Sequence, residues 1–313
     1  MKKNFKIIFM GTPDFAGEII EHLVKNGFFI AAVFSQPDKP KGRGKKTVPT
    51  PSKTVAEKFN IPVYQPKSLI KENSYSLIQE INPDIILTAA YGKLLRENII
   101  SVPKYGSWNI HASLLPKYRG AAPIQRAIEN GEKETGVSVF RIVPELDAGP
   151  VAVKKSFEIS VNDNFENVFN KTLELSKKLI VDFLNNFDSY TPEEQIHEES
   201  TYAEKIKDED LIIDFSQNSE TLHNKIRAFD PVPGTKIKLK DETVKIFGSE
   251  MTEKTFNRVQ PGYINVLKNE IFAETGNGWL KINKIQFPGK KIINTSDAVN
   301  GRKILNGDIF VKI

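Results

Sequence analysis

Gly106-Ser-Trp-Asn-Ile-His-Ala-Ser-Leu-Leu-Pro-Lys-Tyr-Arg-Gly120 reads as a strand that runs out into a constrained loop. Gly106 to Ile110 is small and apolar between polar turns, the pattern of a short buried strand. Asn109 and His111 are two apart, so on a strand their side chains share one face. Beyond them neither strand nor helix can continue. Pro116 biases Leu115 away from helical angles, and Gly120 permits a second break. A neutral amide and an imidazole therefore stand side by side where a strand opens, and in open α/β sheets that end of the strand is where ligands bind. Taken alone, a strand-end Asn-x-His is more often structural than catalytic. Its company changes the reading. Thirty-six residues after His111, Val143-Pro-Glu-Leu-Asp-Ala-Gly-Pro150 puts Asp147 in a Gly/Pro turn behind another strand-like run, Gly136 to Val143. A carboxylate there could orient a histidine and raise its proton affinity.

The flanking sequence supplies the sheet. Phe5 to Met10 reads as a buried strand, followed by an amphipathic helix to Asn26, a stop at Gly27, and a second strand, Phe28 to Phe34. This βαβ opening is of the doubly wound type. Gly11 and Gly17 are six apart and no G-x-G-x-x-G is present, so a nicotinamide dinucleotide site loses its main support. Ser35 to Pro51 reads as an exposed, mobile loop whose cations Lys39, Lys41, Arg43, Lys45 and Lys46 alternate with Pro40, Gly42 and Gly44. Such a loop either is a solvated linker or folds against phosphates on binding. Thr54 to Asn60 is expected to be helical and Ile61 to Gln65 a strand. Asp84 to Ala89 is an apolar run suited to a central parallel strand, with Tyr91-Gly92 following at its ligand-facing end. Ala122 to Glu129 and Phe165 to Phe187 read as helices.

The sequence changes character after Leu211, behind an acidic stretch. Glu193 to Asp210 holds eight acids against Lys205 and Lys207, and with Thr191-Pro192 ahead of it residues 190–208 are the best linker candidate. Past a helix at Ser219 to Ala228 come short alternating runs: Thr235–Leu239, Thr243–Phe247, Tyr263–Val266, Ile271–Glu274, Trp279–Ile285 and Ile309–Ile313. Turn residues separate them, the signature of a small β-barrel. The expected fold is therefore α/β, a doubly wound, mostly parallel Rossmann-like sheet with a C-terminal OB-like barrel. The expected division is 1–189, a linker at 190–208, and 209–313. The whole net charge of +5 lies in residues 211–313, where 16 Lys/Arg face 11 Asp/Glu. Such an excess suits a polyanionic partner, and equally a surface that lysines merely solvate.

Composition narrows the chemistry. The chain has no cysteine, hence no disulfide or thiolate metal site, and its four histidines (22, 111, 197, 223) are not at ligand spacing. No metal is expected. His22 and His223 read as surface or core residues, His197 as a neutralising charge in the acidic stretch. Trp108 reads as core, and Trp279 either packs the barrel or stacks on a base. Met1-Lys-Lys-Asn-Phe-Lys6 lacks a signal-peptide pattern and no apolar run reaches about 18 residues, so a cytoplasmic, membrane-free protein is expected.

Asn109-x-His111, Ser113-Leu-Leu-Pro-x-Tyr-Arg-Gly120 and Asp147-x-Gly149 together resemble the formyltetrahydrofolate-dependent transformylases. Further segments resemble the branch of methionyl-tRNA formyltransferases. These are Gly11-Thr-Pro-Asp-Phe15, Gln36-Pro-Asp-Lys-Pro-Lys-Gly-Arg-Gly-Lys-Lys46, Ala90-Tyr-Gly92, Ala121-Ala-Pro-Ile-Gln-Arg126, Thr201-Tyr-Ala-Glu-Lys205 and Arg227-Ala-Phe-Asp-Pro-Val-Pro-Gly234. The resemblance implies transfer of a formyl group from 10-formyltetrahydrofolate to the α-amino group of methionine on initiator tRNA, in translation initiation. It implies catalytic roles for Asn109, His111 and Asp147, and a folate site at Tyr91, Gly92, Ser113, Leu114, Leu115 and Pro116. It places the acceptor arm of the tRNA on Lys39, Lys41, Arg43, Lys45 and Lys46, with Arg43 foremost, and RNA binding in the C-terminal barrel. A monomer is the expected state. Two rivals are an enzyme formylating a small amine, such as a glycinamide ribonucleotide or amino-sugar nucleotide, and a non-catalytic RNA-binding module. The basic loop and barrel argue against the first, the intact Asn109, His111 and Asp147 against the second.

Overall fold

The computed structural model describes residues 4–41, 46–70 and 72–313. The chain divides into two compact units. One comprises Met1–Pro123, Thr135–Phe157 and Asn170–Glu204, the other Ile124–Glu134, Glu158–Phe169 and Lys205–Ile313.

The elements run β1 (Lys6–Gly11), α1 (Asp14–Lys25), β2 (Phe29–Phe34), β3 (Lys39–Lys41), β4 (Lys46–Val48), α2 (Pro51–Lys58), β5 (Val63–Tyr64), α3 (Ser74–Ile81) and β6 (Ile85–Ala89). Then come α4 (Glu97–Ile100), β7 (Ser107–His111), β8 (Arg119–Gly120), α5 (Pro123–Glu129), β9 (Glu134–Arg141), β10 (Val151–Glu158), α6 (Phe165–Asn185) and β11 (Tyr202–Ala203).

The first unit is built on a seven-stranded sheet in the order β10-β9-β7-β6-β1-β2-β5. The pairs β5–β2, β2–β1, β1–β6 and β6–β7 are parallel, and β9 lies antiparallel to β7. The mostly parallel, doubly wound expectation is met. Its central strands read as unbroken apolar runs because both faces are covered: Ile7 to Met10 and Ile85 to Leu87 are fully buried. Ile8, Met10, Phe34 and Ile86 pack with Tyr91, Leu95 and Ile99 in one cluster. Trp108 packs on Phe183 of α6 at 4.9 Å between ring centroids, as core.

Two local readings change. Residues 35–51 are not one open loop: β3 and β4 pair antiparallel, Lys39 opposite Val48 and Lys41 opposite Lys46. The legs are tied at their base, where the Asp38 carboxylate accepts from the Thr50 N–H, the Gln65 amide and the Lys53 ammonium, and the Ser35 and Thr50 hydroxyls meet at 2.6 Å. Burial opposes the Asp38 charge, but these donors prevail and hold its carboxyl below the ordinary range. Arg43 and Lys45 lie outside the described residues. Helix α2 starts at Pro51 rather than Thr54, because proline suits the first helical position and Thr50 caps it by accepting from the Lys53 N–H. The acidic stretch begins inside the first unit, where Glu193 bridges to Val151 and β11 pairs with β8.

The second unit carries α7 (Ser219–Ala228), β12 (Thr235–Leu239), β13 (Glu242–Met251), β14 (Ile264–Leu267), β15 (Glu270–Glu274), β16 (Trp279–Gln286), β17 (Ile293–Asn294), α8 (Thr295–Asn300) and β18 (Phe310–Val311). Its antiparallel sheet runs β14-β15-β16-β13-β12-β18, with β17 on β16. A bridge from Tyr263 to Ile309, with the Phe310 N–H donating to Gly262 O at 2.8 Å, curls the two ends together as the barrel pattern predicts. Inward positions Ile237, Val244, Ile246, Ile271, Leu280 and Ile282 fill the core. Trp279 is buried against Phe256, a packing residue.

Candidate active site

Asn109 and His111 end β7 on one face, as their spacing requires, one buried step from the loop that follows. On the β6 side Asn109 is in register with Thr88, on the β9 side with Phe140, and His111 is opposite Ser138. The Thr88 hydroxyl donates to Asn109 Oδ1 at 2.6 Å. His111 Nε2 lies 2.8 Å from the Tyr118 carbonyl, which can only accept, so Nε2 carries the hydrogen. Nδ1 is then the nitrogen free to gain or lose a proton, and it faces Asp147 Oδ2 at 3.7 Å.

Asp147 is brought to His111 by turn chemistry. The β9–β10 connection folds so tightly that a Cβ on Gly149 would lie 1.9 Å from the Arg141 carbonyl, so only glycine fits there. Asp147 itself sits at φ +48°, and its Oδ2 accepts the Gly120 N–H at 2.8 Å. Ala90 at φ +46° and Tyr118 at φ +61° are two more left-handed residues around the same strand ends. Non-glycine residues at such angles are uncommon and cluster where a fold holds a functional geometry.

The loop after His111 is tied from both sides. Ser138 Oγ donates to the Ser113 carbonyl and accepts the Leu115 N–H. Ser113 Oγ donates to the Lys117 carbonyl, and Lys154 reaches the Leu115 carbonyl. Thr201-Tyr-Ala203 binds the far end: the Arg119 N–H donates to Thr201 O, and the Ala121 N–H to Ala203 O. Gln195 closes the arrangement. Its Nε2 donates to the carbonyls of Asp147 and Gly149, and its Oε1 accepts from Nε and Nη2 of buried Arg119.

Of the positions matched to a folate site, Tyr91, Ser113 and Leu115 bury their side chains, while Gly92 is exposed and Leu114 and Pro116 are half-buried. Gln36 Nε2 donates to the Tyr91 carbonyl and so ties this turn to the root of the β3–β4 hairpin. Beside that root opens a cleft of about 530 Å³ lined by Thr12, Asp14, Gln36, Lys39, Thr50 and Thr54 among others, with none of Asn109, His111 or Asp147 in its wall. Lys39 is exposed on β3; Lys41 ends β3 and Lys46 begins β4, opposite one another in the pairing.

Sequence reading missed Thr88, Arg119, Ser138, Gln195 and the Tyr118 carbonyl. Tyr118 and Arg119 stand in the Ser113–Gly120 motif without an assigned role, and Thr88 shows as the single polar residue of Ile85-Ile-Leu-Thr-Ala89. Among the described residues no group of three or more His, Asp or Glu could hold a metal ion, and no helix is long and apolar enough to cross a membrane.

An amide, an imidazole and a carboxylate meeting at the open end of a doubly wound sheet are groups of the kind acyl-type transfer can use, as donor to an oxyanion, proton carrier and its holder. Residues 3–184 match the family model of the formyl transferases and residues 205–303 that of the formyl transferase C-terminal domain, and the chain belongs to this family. It is 47% identical to the methionyl-tRNA formyltransferase of Thermotoga maritima over 308 residues, 97% of this chain and 98% of that one. It is 48% identical to the methionyl-tRNA formyltransferase of Kosmotoga olearia over 307 residues, 96% and 98% of the two chains. The fold is shared with a solved N-formyltransferase from Helicobacter canadensis, in complex with folinic acid and dTDP-3-aminofucose. That match has a TM-score of 0.67 at 21% identity and covers 88% of this chain and 98% of that one.

Proposed function

We propose that this protein transfers the formyl group of 10-formyltetrahydrofolate to the α-amino group of methionine on initiator methionyl-tRNA, acting in translation initiation as a cytoplasmic monomer. The observation that carries the reading is the meeting of Asn109, His111 and Asp147 at the open end of β7. Kinship with methionyl-tRNA formyltransferases along nearly the whole chain supports the choice of acceptor.

The methionine nitrogen attacks the formyl carbon, and the carbonyl electrons move to oxygen to give a tetrahedral oxyanion. Asn109 Nδ2–H donates to that oxygen without titrating; such a donor is worth on the order of 10²–10³ in rate. The C–N10 bond then breaks, N10 keeps the electron pair and gains a proton, and the attacking nitrogen loses one. His111 carries that proton at Nδ1, because Nε2 is committed to the Tyr118 carbonyl. Asp147 holds the imidazole and balances its charge while the proton is aboard. The folate lies against Tyr91-Gly92 and Ser113–Pro116, read by turn shape more than by side chains. The tRNA acceptor arm meets Lys39, Lys41, Arg43, Lys45 and Lys46, and residues 209–313 with their excess of lysine take more of the RNA.

The test is steady-state formylation of methionyl-initiator-tRNA, elongator methionyl-tRNA, glycinamide ribonucleotide and an amino-sugar nucleotide side by side. The initiator is expected to be the preferred acceptor by kcat/KM. Equal or better turnover of a small amine refutes the assignment of the acceptor.

A further inference from the structure

Thr88 is the only polar residue of β6, it is 5% exposed, and it stands directly across from Asn109 in the parallel β6–β7 register. On the other flank the residue in register is Phe140, whose side chain offers no hydrogen bond. An asparagine amide has two faces of nearly equal shape and opposite chemistry: turned one way it offers N–H donors, turned the other a carbonyl acceptor. An oxyanion is stabilised by the first and repelled by the second. Packing cannot choose between them, so a hydrogen bond must. Asn109 Oδ1 receives the Thr88 hydroxyl at 2.6 Å, while Nδ2 has no hydrogen-bond partner among the described residues.

We propose that Thr88 is a positioning residue whose hydroxyl fixes the Asn109 amide with its N–H groups toward the reacting formyl oxygen. The inference rests on the oxyanion-hole reading of Asn109 given above. Thr88 touches no substrate; it acts by withdrawing the one amide atom that would oppose the developing charge. The register explains why it can. Parallel strands set Thr88 and Asn109 side by side at the last turn of the pleat before both strands end, so the contact is made by rigid backbone rather than by a loop.

Three variants test this through formylation kinetics and thermal unfolding: Thr88→Val, Thr88→Ser and Asn109→Ala. Valine keeps the shape and removes the donor. Thr88→Val is expected to lower kcat about tenfold, with KM for both substrates within about twofold, the effect of one lost hydrogen bond on a transition-state contact. Thr88→Ser keeps the hydroxyl and restores kcat to within about twofold of wild type, which a purely packing role of the γ-methyl would not allow. Asn109→Ala is expected to lose on the order of 10²–10³ in kcat. Wild-type kcat in Thr88→Val, with Asn109→Ala impaired, overturns the inference and leaves the reading of Asn109 standing. Equal losses in Thr88→Val and Thr88→Ser overturn it too. Wild-type kcat in Asn109→Ala sinks both the inference and the reading under it.

Discussion

Replacing Gln195 by leucine should damage both the stability of the first unit and its chemistry. Gln195 is buried, and all of its hydrogen-bonding capacity is used: Oε1 accepts from Arg119 at 3.1 and 2.7 Å, and Nε2 donates to Asp147 O at 2.9 Å and Gly149 O at 2.7 Å. Leucine matches its volume and makes none of these bonds. Arg119, 3% exposed, keeps among the described residues only a long side-chain contact to His197 Nδ1 at 3.4 Å. The two hydrogen bonds lost by the Arg119 guanidinium are each worth about 1.5–3 kcal/mol, and the two carbonyls freed at the Asp147 turn add to that. In urea, with a slope of about 2 kcal/mol per molar, 4 kcal/mol moves the midpoint down by about 2 M. The two tryptophans lie in different units, Trp108 in the first and Trp279 in the second, so in a Trp279→Phe background the emission of Trp108 reports the first unit alone. Below the transition, kcat should fall by about tenfold or more, because the clamped turn is what keeps Asp147 at its left-handed backbone angle beside His111. A midpoint shift under about 0.5 M would refute the buried-charge reasoning, since even one unpaired charged hydrogen bond is worth more than that. A large shift with unchanged kcat would show that Gln195 secures the fold without positioning Asp147.

Two further outcomes follow from the same structure. Replacing Lys39, Lys41, Arg43, Lys45 and Lys46 together by alanine should raise the tRNA KM, leave the folate KM alone, and flatten the salt dependence of tRNA binding; an unchanged slope removes the hairpin from the interface. His223, buried with Nδ1 on Ser249 Oγ and Nε2 donating to Val161 O, is held neutral. Burial lowers its pKa below the ordinary 6.5 despite the Val161 carbonyl. The unfolded chain therefore binds this proton first: the stability of the second unit is complete above pH 6.5 and declines as pH falls below it toward the folded pKa. Urea midpoints read from Trp279 in a Trp108→Phe background should drop between pH 7 and 5, and an identical slope in His223→Gln would contradict this.

What the sequence made legible was what depends on short-range pattern. The apolar run Ile85 to Ala89, the βαβ opening and the alternation in the last third carry their periods on their face, because a two-sided sheet and a half-buried barrel demand them. The common face of Asn109 and His111 followed from spacing alone. What stayed hidden depends on partners distant in sequence. The β3–β4 hairpin stands because Asp38 gathers Thr50, Lys53 and Gln65. Charge counting marks 190–208 as acidic and cannot show that Gln195 within it is buried under Asp147, 48 residues away. Helix α3 was missed because it is bounded by Asn73 and Asn82 at φ +54° and +50°, where no side-chain cap announces it. The antiparallel approach of β9, which sets Ser138 beside His111, is a register and not a motif.

The reading of the site stands or falls on single-turnover formyl transfer from 10-formyltetrahydrofolate to methionyl-initiator-tRNA by wild type, Asn109→Ala and His111→Ala, with tRNA affinity measured alongside. Each substitution is expected to slow transfer by about 10² or more while the tRNA Kd stays within about twofold. Transfer at the wild-type rate in either variant would contradict its assigned role, and in both would place the chemistry elsewhere in the molecule.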